Sequence, residues 1–82
     1  MKVRLLLFAV LKDIVGAAER TMSLPQGSRA IDVWEALRND HDGLRHYKVP
    51  PMTAVNQTYV SADTTLHDGD EVAFIPPVAG GM

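Results

Sequence analysis

The stretch Lys2-Val3-Arg4-Leu5-Leu6-Leu7-Phe8-Ala9-Val10-Leu11 decides the fold. Successive side chains of a strand point to opposite faces. Lys2, Arg4, Leu6 and Phe8 therefore share one face, and Val3, Leu5, Leu7 and Ala9 the other. So apolar a run predicts a central, buried strand. It superficially resembles a secretory leader, but it is short, Lys12-Asp13 follows it, and no small-residue cleavage site appears. A membrane-crossing helix needs about 20 apolar residues. The expectation is a soluble, cytoplasmic protein without membrane contact.

Working outward, Gly16 marks a turn and Arg20–Leu24 a second strand, ended by Pro25-Gln26-Gly27. These two strands should form a hairpin. A helix is expected from Asp32, whose carboxylate can accept from first-turn amides, with Glu35 at the reciprocal capping-box position. Val33, Ala36, Leu37 and Leu44 supply its apolar stripe, and Asp42-Gly43 its stop. Residues 45–51 read as a loop closed by Pro50-Pro51. Met52–Asn56 reads as a third strand and Tyr59-Val60 as a short fourth. Asp68-Gly69-Asp70 turns into the last strand, Glu71–Ile75, which Pro76 terminates. Strand, strand, helix, strands gives an α+β domain: a mixed sheet of four to five strands with one principal helix on one face. The first and last strands, being the most apolar, should be central, parallel neighbours. With the helix on the Val3/Leu5/Leu7 side, the Phe8 side has no cover within the chain, and an uncovered apolar face usually marks an interaction site.

Composition narrows the function. Eighty-two residues make one domain, and without cysteine there is no disulfide, thiolate zinc ligand or thiol nucleophile. Eight basic and ten acidic residues give a net charge of −2 with no basic cluster, which argues against nucleic-acid binding. Asp40-His41-Asp42 reads as a helix end, because adjacent residues splay rather than converge on a metal. His67-Asp68-Gly69-Asp70-Glu71 lacks a calcium-loop ligand series and reads as a turn with Gly69 at positive φ. Trp34, on the first helical turn, reads as partial cover for the core. No metal site is expected.

The tail Val78-Ala79-Gly80-Gly81-Met82 follows Pro76-Pro77. Proline keeps its neighbours extended, and glycine has no side chain and a broad conformational range. Residues 1–77 are thus the expected domain and 78–82 a flexible, narrow tail suited to entering another protein's active site.

In order and spacing the chain resembles the ubiquitin-like β-grasp sulfur carriers, in particular the small subunit of molybdopterin synthase. The resemblance is carried by Ala54-Val55-Asn56-Gln57-Thr58 and by the run from Leu66 through Asp68-Gly69-Asp70-Glu71-Val72 and Phe74-Ile75-Pro76-Pro77 to Gly80-Gly81. Leu7-Phe8-Ala9 followed by Val15-Gly16 adds to it. It implies that Gly81 is the functional terminus and that Gly80, Ala79 and Val78 carry it to the partner. It also implies a ubiquitin-activating-type adenylyltransferase that spends ATP, a sulfur donor, and a large synthase subunit in a heterotetramer. The carrier itself needs no cofactor and has no active site of its own. Family members end at the second glycine, so Met82 departs from the pattern and marks a possible processing step. The resemblance and the side-chain alternation together nominate Phe8, Tyr59 and Ile75 as the partner-binding patch. Two alternatives stay open: a sulfur carrier for thiazole synthesis, and a ubiquitin-like modifier joined to lysines.

Overall fold

A computed structural model describes residues 1–76; Pro77 and the tail residues Val78, Ala79, Gly80, Gly81 and Met82 lie outside the described residues. Five strands, β1 (Lys2–Leu7), β2 (Glu19–Ser23), β3 (Met52–Val55), β4 (Thr58–Val60) and β5 (Glu71–Ile75), form one sheet in the order β2-β1-β5-β3-β4. β1 and β5 are parallel, in register Leu5 to Val72 and Leu7 to Phe74, and every other pairing is antiparallel. The principal helix is α2 (Ala30–Asp40), preceded by a shorter α1 (Ala9–Val15). The expected architecture and its central parallel pair are present.

Three local expectations are corrected. The first strand does not run to Leu11. It ends at Leu7, and the chain turns through Ala9, at φ 52, into α1. Leu7, Leu11, Ile14 and Val15 recur at helical spacing, and Leu11 is fully buried. Burial of that stripe outweighs the strand period that Val10-Leu11 seemed to continue. Gly16, at φ 87, is the left-handed C-cap whose amide donates to the Lys12 carbonyl at 2.8 Å. β1 and β2 therefore pair as expected, but across a helix rather than a tight hairpin.

The second correction concerns the start of α2. Arg29, not Asp32, is the N-cap residue. Asp32 sits in the first turn, and its carboxylate accepts from the Arg29 amide at 2.8 Å. Glu35 is exposed. The first-turn amides of Ala30 and Ile31 donate instead to the carbonyls of Thr64 and Ala62, at 3.0 and 2.8 Å. A neighbouring loop thus supplies the acceptors that a capping side chain would otherwise provide.

Thirdly, Trp34 is not partial cover. It is 2% exposed and sits at the centre of the core, its ring edge-on to Phe74 at 5.2 Å and to Tyr47 at 5.7 Å. Val3, Leu5 and Leu7 from β1, Val72 and Phe74 from β5, and Val33 and Leu37 from α2 complete that layer. Emptying the Trp34 site should be severe: Trp34→Ala is expected to cost about 3–5 kcal/mol, measurable as a lowered urea midpoint with an unchanged slope.

Candidate functional site

The sheet face opposite α2 is set by register. Residues paired across strands point the same way, so Tyr59, Ala54, Ala73 and Leu6 form a row across β4, β3, β5 and β1. A second row pairs Met52 with Ile75, and Phe8 follows Leu7 at the same end of β1. The flanking strand residues Thr53, Val72 and Phe74 are buried on the α2 side. Ala54 and Ala73, both small, leave a shallow floor. Leu6, Phe8, Gln57, Tyr59, Glu71 and Ile75 stand around it and enclose a concavity of about 340 Å³.

Phe8, Tyr59 and Ile75 therefore line one site. Phe8 is 45% and Tyr59 63% exposed, and Ile75 is half-buried. Trp34 packs on the opposite side of the sheet, against Phe74, and Tyr47 packs against Trp34 there, so neither covers this face. Strand alternation places Leu6 with Phe8 and Ala73 with Ile75 on this face, though neither was named as an anchor; Ala54, Gln57 and Met52 were not placed there at all. Those three depend on the β3–β5 register and the β3–β4 turn, which alternation does not give.

Charge is confined to one margin. Arg4 pairs with Glu71 in β5 and lies 3.4 Å from Glu19 in β2. The Glu71 hydrogen bond, then the charges of Glu71 and Glu19, raise the Arg4 pKa above its ordinary value. The opposite end of the face, where β5 ends, is apolar, with Phe8, Ile75 and Met52. Among the described residues no group of three His, Cys, Asp or Glu side chains converges to hold a metal. His41 caps the end of α2, with Nδ1 3.0 Å from the Leu37 carbonyl. Gly69, at φ 88, makes the turn into β5.

Below that margin, Asp70 is held by its neighbours. Its carboxylate accepts from Asn56 Nδ2 at 3.0 Å and from the His67 amide at 2.8 Å. The Asn56 bond first, and the His67 amide next, hold the Asp70 carboxyl below the usual carboxylate range. A depressed folded-state pKa adds stability that is full above the unfolded value near about 3.9 and disappears as pH falls through the folded value. Asp70→Asn should therefore lower the neutral-pH stability and flatten its decline below about pH 4. Urea midpoints collected across that range test the sign.

A mixed five-stranded sheet gripping one principal helix defines a ubiquitin-like β-grasp protein. Residues 5–81 match the ThiS family, and the chain belongs to that family. It is 41% identical to the molybdopterin synthase sulfur carrier subunit of Escherichia coli, over 96% of this chain and 99% of that protein. Among solved structures, a Pyrococcus furiosus chain described as subunit 1 of molybdopterin converting factor superposes with a TM-score of 0.84. It is 32% identical and covers 95% of this chain and 99% of its own length. A chain from the Helicobacter pylori complex of subunits 1 and 2 of molybdopterin-converting factor shares the fold. Its TM-score is 0.64 at 22% identity, covering 99% of this chain and all of that one. Among the described residues no helix is long and apolar enough to cross a membrane.

Proposed function

We propose that this chain is the sulfur-carrying subunit of a molybdopterin synthase, with Gly81 as the atom-transferring terminus. The carrying observation is that β5 delivers Ile75 to the rim of the apolar concavity and then, within six residues, reaches Gly81. At about 3.3–3.6 Å per extended residue, the terminus can reach roughly 20 Å beyond the docked face, enough to enter a partner's active site. The likeness to sulfur carrier subunits supports the same assignment.

The chemistry falls to the partners. While Met82 is attached, the Gly81 carbonyl is an amide, so hydrolysis of the Gly81–Met82 bond comes first. The freed carboxylate then attacks the α-phosphorus of ATP on an adenylyltransferase, forming an acyl-adenylate and releasing pyrophosphate. A sulfur donor displaces AMP and leaves a thiocarboxylate. Activation makes AMP a good leaving group and divides one hard acyl substitution into easier steps. In the large synthase subunit the thiocarboxylate surrenders its sulfur to the pterin precursor. Gly80, Ala79 and Val78 present Gly81 without bulky side chains. The cytoplasm, which supplies ATP, is the compartment assigned to these steps in this proposal.

Phe8, Tyr59 and Ile75 are the docking anchors. A few aromatic and aliphatic anchors commonly carry most of an interface's binding energy, about 2 kcal/mol or more each. A Phe8→Glu, Ile75→Glu double variant should stay folded, since both side chains lie off the core, yet lose binding to the large subunit in a calorimetric titration. Undiminished binding would remove this face from the interface. Deleting Gly80-Gly81-Met82 should leave the melting curve unchanged and abolish thiocarboxylate formation, read as the absence of a 16 Da mass gain expected on replacing one oxygen by sulfur (about +16 Da). Thiocarboxylate-dependent synthesis by the truncated chain would refute the carrier assignment.

A further inference from the structure

We infer that Asn56 is the positioning residue that holds the two halves of the docking concavity in register; this rests on the docking assignment made above. The concavity draws its lining from two sources. Leu6, Glu71, Ala73 and Ile75 stand on the central pair β1 and β5, with Phe8 just past the end of β1, while Ala54, Gln57 and Tyr59 stand on the β3–β4 hairpin. β4 is three residues long and, among the described residues, pairs only with β3, so it is the less constrained of the two.

The turn that aims it is conformationally costly. Val55 pairs with Thr58, leaving Asn56 and Gln57 as a two-residue loop with φ of 51 and 71. Positive φ at both positions is the hairpin turn that matches strand twist, and it favours glycine at the second. Asn tolerates that region, but at φ 71 Gln57 is strained there. Something outside the hairpin has to hold it.

Asn56 does so through both ends of its side chain. Its Oδ1 accepts from the Glu71 amide at 3.0 Å, and its Nδ2 donates to the Asp70 carboxylate at 3.0 Å. Its own amide donates to the Glu71 carbonyl at 2.8 Å. Asp70 is in turn fixed by the His67 amide, and the Asp70 carbonyl accepts from the Arg4 amide in β1 at 2.9 Å. The strut runs from the β3–β4 turn through the start of β5 to β1, along the end of the sheet where β5 begins. Asn56 itself lines none of the concavity.

The donors and acceptors at this joint can be exchanged. A carboxylate at position 56 could accept from both the Glu71 amide and an amide group at position 70. The carbonyl of that amide group would still accept from the His67 amide. Either substitution alone breaks the pattern: Asn56→Asp sets two carboxylates against each other, and Asp70→Asn sets an NH₂ against an NH.

The test measures binding of the purified large synthase subunit by calorimetry, alongside the Tyr59 amide shift of the free chain, at a temperature where melting curves show each variant folded. Asn56→Asp is expected to weaken binding about tenfold, or 1.4 kcal/mol, and to displace the Tyr59 signal. The Asn56→Asp, Asp70→Asn exchange should restore affinity to within about twofold and return the Tyr59 signal. If Asn56→Asp does not fold, the exchange variant alone decides, by folding and binding. Loss of stability without loss of affinity in Asn56→Asp, or an exchange variant that binds no better than the single one, would overturn the inference. The Phe8→Glu, Ile75→Glu variant separates the two levels: if it binds normally the docking face is wrong, and if it alone loses binding only the role of Asn56 is wrong.

Discussion

Everything in this structure depends on the parallel pairing of its first and last strands. Leu5 against Val72 and Leu7 against Phe74 place the two most apolar segments side by side at the sheet centre. A parallel pair cannot be closed by a tight turn, so the intervening residues must cross over, and α2 does so on one face. Parallel strands also end at the same side of the sheet. The end of β1, with Phe8, therefore lies beside the end of β5, with Ile75, from which the chain continues to Gly81. Phe8, Ile75 and Pro76, the last described residue, lie at one edge because of this pairing.

The same pairing makes the sheet two-sided in a consequential way. One α-helix of eleven residues and a shorter one cover a single face, and the core they close has Trp34 and Phe74 at its middle. The opposite face keeps Leu6, Phe8, Ile75 and Tyr59 around an alanine floor. A small domain buries a limited share of its surface; here Phe8, Ile75 and Met52 meet at one end of this face, while Val10 in α1 and Val49 before β3 are exposed as well. Along the other margin Arg4 pairs with both Glu19 and Glu71. Such a face favours a partner that matches its shape at the apolar end, with charge setting the boundary rather than the affinity.

How much of this the sequence disclosed can be followed residue by residue. Period-two alternation located the buried and open faces of β1 and β5, because it reports on a single strand. It failed at Val10 and Leu11, where a strand run and a helical stripe are apolar at the same positions and only the packing of Leu11, Ile14 and Val15 decides. The start of α2 was misread because Asp32 is plausible at either of two capping positions. The acceptors that settle it come from Ala62 and Thr64, thirty residues away. Asn56-Gln57 carries no glycine and does not announce a tight turn, so Ala54 and Gln57 could not be placed on the open face. Phe8, Tyr59 and Ile75 were nameable because each was apolar, off the core pattern and near a strand end. The tail was legible only as chemistry, through its glycines and its extra Met82.

A carrier of this kind separates recognition from reaction, and the separation explains where the structure invests its order. On the function proposed above the reacting carbonyl is that of Gly81, which in the sequence follows two prolines and residues with small or modest side chains. Specificity cannot come from such a tail, since glycine offers a partner little to distinguish. It must come from the domain, and a shallow face made by five strands keeps its shape only if the least supported strand is held. The strut of Asn56, Asp70 and Glu71 meets that need with three hydrogen bonds, two through side-chain groups and one through the backbone. These bonds stand at the far end of the sheet from Phe8 and Ile75, the edge that the proposal above assigns to docking.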